Sequence, residues 1–178
     1  MSKKTLEAWW SGKLYNSGMG QVVVGRQKAS GDGGFITAGV FLVDAYCLGV
    51  KNAFLAKIPS AGWESALDRI FSQEGRKPLS PACARKLIEG AVAYARSFGF
   101  EPHPDYYKAS HVLSGIDASE CDTIFTFGEN GKPHYIQGPH DSPEFIKRVI
   151  ASLRKHAGGP DKFHFTVLAE DVDEDTLR

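Results

Sequence analysis

Three side chains concentrate the chemistry of this sequence: Asp44, Lys51 and His103. Asp44 interrupts the apolar stretch Val40-Phe41-Leu42-Val43-Asp44-Ala45-Tyr46-Cys47-Leu48. A carboxylate buried there without partners would cost several kcal/mol or shift its protonation, so it must find them. Lys51, seven positions on, is one candidate. In a functional reading Asp44 is a base or metal ligand and Lys51 binds or stabilises an anion. In a structural reading, the preferred one, Asp44 is a buried cap or ion-pair member holding a strand bend at Gly49. His103 stands between two prolines in Gly99-Phe100-Glu101-Pro102-His103-Pro104-Asp105-Tyr106. The prolines keep the backbone extended and stiff, so the imidazole is presented from a fixed platform. It suits general acid–base work or metal ligation, oriented by Asp44 or Asp105. It equally suits a hydrogen bond to a loop carbonyl. Asp105, the expected N-cap of the next helix, and Tyr106 complete this segment as candidate binding residues. Arg26 and Lys28, with Lys51 and Lys57, would line one basic sheet face.

Other motifs carry less. The chain has 19 glycines, but neither GxxxxGK[ST] nor GxGxxG occurs, and Gly31-Asp32-Gly33-Gly34 reads as a hairpin connection. His164-Phe165-Thr166-Val167 fits the histidine–apolar–threonine–apolar element of two-histidine phosphoesterases. Those enzymes need two such elements, and His111-Val112-Leu113-Ser114 has its serine one position late. His140 precedes a helix whose plain cap is Asp141 or Ser142. No HxH or HExxH pair appears, so neither a metal nor a cofactor is expected. Cys47, Cys83 and Cys121 are odd in number and widely spaced, which argues against a disulfide framework and for a reducing compartment. Cys47, in apolar surroundings, reads as an inert core thiol.

The elements that must position these groups follow from periodicity and punctuation. Leu6–Trp10 is expected as a short helix ending near Gly12. Gln21–Lys28 reads as a strand, and Phe35–Ile58 as two more with a tight turn between them; the Gly-rich connection implies hairpin pairing. Ser60 would cap a helix running to about Glu74. Ser80 and Pro81 open the clearest helix, with Cys83, Leu87, Ile88, Ala91, Val92, Ala95 and Phe98 as its apolar stripe and Gly99 as its left-handed stop. A lesser helix covers Asp105–Leu113. Thr123–Gly128 and His134–Gln137 would pair across Asn130-Gly131 as a second hairpin. Ser142 and Pro143 start a last helix, and Lys162–Leu168 alternates as a strand.

These elements give an α+β fold: a mainly antiparallel sheet from two hairpin regions, a helical middle and a C-terminal helix packed on it. At 178 residues one domain is expected over 1–169, with residues 1–19 as a helix and loop. The acidic residues Glu170, Asp171, Asp173, Glu174 and Asp175 form a tail expected to stay solvated. The longest apolar run is too short to span a bilayer, and no signal peptide is recognisable.

Three stretches together resemble a family of bacterial proteins of unknown function. They are Phe41-Leu42-Val43-Asp44 running into Cys47-Leu48-Gly49-Val50-Lys51; Gly99-Phe100-Glu101-Pro102-His103-Pro104-Asp105-Tyr106; and Phe125-Thr126-Phe127-Gly128 with Gly131-Lys132-Pro133. The resemblance covers about residues 20–168. It implies a bacterial, cytoplasmic setting and carries no activity, catalytic residue or cofactor with it. Where family versions often have Asp after the lysine, this chain has Asn52.

Two functions are compatible with these residues. The favoured one is a binding or interaction module, for protein or nucleic acid, with no membrane involvement. The alternative is a hydrolase of phosphodiester or nuclease type using His103 with Asp44 and Lys51.

Overall fold

A computed structural model describes residues 6–27 and 34–178; Lys28 and the Gly31–Gly33 connection lie outside them. The chain order is β1 (Leu6–Ser11), α1 (Leu14–Ser17), β2 (Met19–Gln27), β3 (Phe35–Asp44), β4 (Gly49–Pro59), α2 (Trp63–Ile70), β5 (Arg76–Leu79), α3 (Pro81–Ser97), α4 (Tyr106–Ala109), β6 (His134–Ile136), α5 (Pro143–His156), β7 (His164–Thr166) and α6 (Glu174–Leu177). Five strands form an antiparallel sheet in the order β4-β3-β2-β1-β5. The α+β class expected from the sequence is what the structure shows.

Both sheet faces are covered, and the two-residue period of the strands decides which residues go where. Val22, Val24, Phe41 and Val43 face α3 and α4, joining Leu87, Ile88, Ala91 and Val92 in the main core. Val23, Ile36, Ala38 and Val40 face the opposite way, onto Trp63, Leu67 and Phe71. The same alternation explains why Leu6–Ser11 is a strand and not the expected helix. Trp9 packs on the α2 side and Trp10 on the α3 side, where it meets Tyr15 and Phe125. A helix would have left one of two adjacent tryptophans in water; a central strand buries part of each.

The caps of α3 are built as the sequence implies. Ser80 Oγ accepts the Cys83 N–H at 3.1 Å. At the other end Gly99 has φ +85°, with its N–H on the Arg96 carbonyl and the Phe100 N–H on the Ala95 carbonyl. This Schellman ending turns the chain sharply into the His103 loop. Ser60 does not cap α2. Its hydroxyl donates to the Gly34 carbonyl and accepts from Gln27 Nε2, so it fastens the strand ends instead.

The C-terminal half differs from expectation in its pairing. Asn130 and Gly131 adopt φ +52° and +80°, the tight turn their types favour, but only a single bridge joins Glu129 to Lys132. Residues 123–128 form no strand, because their aromatic alternation serves packing: Phe125 against Trp10, Phe127 stacked on Tyr94. β6 pairs instead with β7, in parallel and with His134 opposite His164. Parallel neighbours need a crossover connection, and α5 supplies it. α5 buries Ile146, Val149, Ile150 and Leu153 against Tyr135, Phe163, Cys47 and Leu48, a second, smaller core.

Two further expectations are corrected. Cys83 and Cys121 are joined as a disulfide, which ties the start of α3 to the segment before Phe125 and leaves Cys47 as the free, buried thiol. The acidic tail is also not free in solution. Asp173 pairs with Lys147 Nζ at 2.6 Å, Arg154 donates to the Thr176 carbonyl, and Val172 packs on the second core. The Lys147 ammonium, with help from Thr176, holds the Asp173 carboxyl down at about 2, from an ordinary 3.8. A lowered carboxyl favours the docked tail above its ordinary value and ceases to do so as pH falls towards the lowered one. Protection of the Thr176 amide, taken relative to the intrinsic exchange rate at each pH, is therefore expected to be present at pH 6 and to be lost between about pH 4 and pH 2. Equal protection at pH 6 and pH 2 would show that the ion pair does not hold the tail.

Candidate functional site

The β3–β4 turn is organised by Asp44. Its carboxylate, 5% exposed, accepts the N–H groups of Tyr46 and Cys47 on Oδ1 and of Leu48 on Oδ2, at 3.0, 3.0 and 3.1 Å. Burial pushes its carboxyl above the ordinary value, while these donors and the nearby Lys51 charge pull the other way. The turn ends at Gly49, whose φ is +71°; a β-carbon there would come within 2.9 Å of the Ala91 carbonyl oxygen in α3. The residue must be glycine both for its left-handed backbone and for the close approach. Lys51 leaves this fixed turn two residues later, on the first turn-proximal part of β4.

His103 is brought to the same place from the other side. Its N–H donates to the Val50 carbonyl at 2.9 Å, stitching the Pro-His-Pro loop to β4 beside Lys51. Lys51 and His103 thus line one cavity of about 500 Å³ between β4, the loop after α3, and α5. Apolar walls come from Leu48, Val50, Phe100, Pro102, Phe145 and Val149, and α5 adds Arg148 and Ser152. The size is that of an ordinary ligand cleft.

The charges around the cleft are unequal. Glu101 is engaged by Arg96 at 3.2 Å, and Arg96 also donates to Tyr107. Lys51 and Arg148 make no ion pair within 4 Å among the described residues. Lys51 Nζ reaches to Gly138, where a β-carbon would lie 3.3 Å from it. The Arg148 guanidinium rests over the Phe145 ring at 5.9 Å. Ser152 is spent on the Phe98 carbonyl.

The tautomer of His103 follows from its neighbour. Nδ1 accepts the Asp105 N–H at 3.1 Å, so in the neutral ring the proton sits on Nε2. The imidazole is then a hydrogen-bond donor through Nε2. A general base of the usual kind needs the reverse arrangement, with Nδ1–H given to a carboxylate and Nε2 bare. Asp44 offers no such carboxylate, since its oxygens already serve three N–H groups behind the cavity wall. The structure brings Lys51 and His103 together, and keeps Asp44 apart as a turn anchor.

The remaining sequence candidates divide plainly. Asp105 is exposed; its N–H donates to His103 Nδ1, and its carboxylate lies 3.9 Å from the same nitrogen, too far for a hydrogen bond. Tyr106 is buried, edge-on to Phe41 at 6.3 Å, and belongs to the core. Arg26 clamps the Val112 and Ser114 carbonyls at 3.0 and 2.6 Å, which takes its guanidinium out of any basic face. Cys47 lies in the second core, where burial pushes its thiol well above the usual range. Arg148 was not visible as a site residue in the sequence. The available signal was the helical spacing of Phe145, Arg148, Val149 and Ser152, which places them on one face of α5.

No helix among the described residues is long and apolar enough to cross a membrane. No group of three or more His, Cys, Asp or Glu residues among them is placed to hold a metal ion. Comparison of the chain with protein-family models, curated proteins and solved structures finds no match.

Proposed function

We propose that the protein is a binding module whose cleft receives an acidic group of a partner protein, with an apolar neighbour of that group seated on the walls. The observation that carries this reading is the pair of cations, Lys51 and Arg148, neither of which has an ion-pair partner within 4 Å among the described residues, on an apolar cavity where the donor His103 joins them. Cations beside apolar surface suit an anion attached to a hydrophobic body. Recognition of a single nucleic-acid strand would call for exposed aromatic platforms along a phosphate track. Phe100 and Phe145 instead pack partly into the second core, and Arg26 is committed to carbonyls. The same geometry weighs against hydrolysis by Asp44, Lys51 and His103.

The test is calorimetric titration of short peptides that pair one Asp or Glu with a Leu or Phe, against wild type, Lys51→Met and Arg148→Met. Loss of a charge-assisted hydrogen bond is expected to weaken binding about tenfold or more for each substitution. Binding of such peptides that is indifferent to both substitutions rules the cleft out. A single-stranded oligonucleotide that binds through Lys51 while no peptide does would overturn the protein-partner reading.

A further inference from the structure

A second constellation stands on the β6–β7 pair, outside the cleft of Lys51 and His103. His134 Nδ1 lies 2.9 Å from Glu129 Oε2, and His134 Nε2 lies 2.8 Å from Thr166 Oγ1. The imidazole is held in place. Its side chain is 16% exposed, the Tyr46 ring stacks parallel to it, and the His134 N–H donates to the Tyr46 carbonyl. Glu129 is fixed by the tight turn it shares with Lys132, and Thr166 by its place on β7, where its carbonyl accepts the Gln137 N–H. The order carboxylate, imidazole, hydroxyl at hydrogen-bond distance is that of an orienter, a base and a nucleophile. It is also the reverse of the His103 arrangement: here Nδ1 faces a carboxylate and Nε2 faces the hydroxyl.

Thr166 opens on a cavity of about 510 Å³ that is also lined by Ile136, Pro139, Asp141, Val167, Leu168 and Asp171. The main-chain N–H of Val167, the residue after Thr166, donates to no group among the described residues. An N–H directly after a nucleophile is a common donor to the oxyanion of acyl transfer.

We propose that Glu129, His134 and Thr166 form a hydrolytic site for carboxylic esters. Thr166 Oγ attacks the ester carbonyl while its proton passes to His134 Nε2, and the carbonyl electron pair moves to oxygen beside the Val167 N–H. Collapse of the tetrahedral species breaks the ester C–O bond, and the leaving alkoxide takes the proton back from His134. Water then attacks the acyl-threonine, giving its proton to His134. The second collapse releases the carboxylic acid and restores the Thr166 hydroxyl. Glu129 is a positioning residue that holds the tautomer and faces the imidazolium. Asp141 and Asp171 put carboxylates on the cavity wall, so the substrate is a neutral or cationic ester and not an anionic one.

The test uses the full chain with three ester classes: p-nitrophenyl acetate, acetylcholine and the p-nitrophenyl monoester of succinate. A fluorophosphonate probe, which phosphonylates an activated hydroxyl with loss of fluoride, is run in parallel and mapped by peptide mass. The expected result is labelling at Thr166 in wild type and in Thr166→Ser, and none in Thr166→Ala. Turnover of the neutral or cationic ester should fall about 100-fold or more in Thr166→Ala and His134→Ala. Glu129→Gln should lower kcat and leave KM unchanged. Thermal midpoints identify any variant that fails to fold, and labelling of the wild-type chain decides the matter without them. A wild-type chain that neither labels at Thr166 nor hydrolyses any of the three esters overturns the proposal, as does turnover unchanged by Thr166→Ala. Fastest hydrolysis of the succinate monoester overturns the assigned substrate class.

Discussion

Replacing Asp44 by alanine is expected to destabilise the protein by about 3–5 kcal/mol, measured as loss of unfolding free energy in urea. Three N–H groups, those of Tyr46, Cys47 and Leu48, lose their acceptor at once, and the turn around them leaves little room for water. For a chain of this length the thermal midpoint should drop by about 10 °C. Asp44→Asn keeps one acceptor oxygen and should cost about half as much. The pair of variants separates the two readings of this residue. A turn anchor predicts graded losses of stability, Ala worse than Asn. A catalytic base predicts loss of an activity with stability nearly intact, and that outcome would reinstate the trio of Asp44, Lys51 and His103. Because the turn also sets Gly49 against α3 and Lys51 into the cleft, Asp44→Ala should weaken peptide binding as well.

Reduction of the Cys83–Cys121 disulfide is the second large effect. The bond closes a loop across a sequence separation of 38. On the chain-entropy account, removing such a closure costs about 4 kcal/mol through the greater freedom of the unfolded state. Urea transitions with and without reductant should differ by that amount, with Cys83→Ser plus Cys121→Ser matching the reduced wild type. Thiol titration under denaturing conditions should find one free thiol, Cys47, before reduction and three after it. Three free thiols in the untreated protein, or coincident transitions, would show that the bond contributes nothing. Both sulfurs belong to buried residues, so reduction of the folded chain should be slow and should accelerate in mild denaturant.

The cysteines also show where a sequence stops being informative. Three cysteines permit three pairings, and spacing alone cannot select one. The choice was made by α3, whose N-terminus carries Cys83 to 5.0 Å, Cα to Cα, from Cys121. That distance lies within the reach of a disulfide, and it exists only after the helix has packed.

The local devices were legible from the residues. Ser80 and Pro81 open α3 and Gly99 closes it; Ser142 and Pro143 open α5, with Ser142 Oγ accepting the Phe145 N–H; Asn130-Gly131 turns the chain. Each is a short-range preference of side chain or backbone that holds in any fold containing it. The three strands β2, β3 and β4 and their antiparallel pairing were equally plain, since short connections leave little choice of partner. Leu6–Ser11 and residues 123–128 were misread for one common reason. Alternation and apolar content report that side chains will be buried, not against what. Trp9 and Trp10 are satisfied by opposite faces of a sheet, and Phe125 and Phe127 by Trp10 and Tyr94, partners more than 30 residues distant in the case of Tyr94.

The candidate sites divide in the same way. The sequence by itself marked Asp44 as a carboxylate needing partners, and presented Lys51 and His103 as polar groups on stiff local supports. It could not assign their roles. Only the tertiary structure spent Asp44 on three amides, turned His103 Nδ1 to the Asp105 N–H, and brought Arg148 in from α5. Thr166 stood in the sequence only beside His164, and its junction with His134 and Glu129 could not be read there, because it depends on a parallel pairing across a helix. Local chemistry follows from neighbours in the chain, which composition and spacing display. Sites follow from neighbours in space, and those are set by how the elements bury their apolar faces.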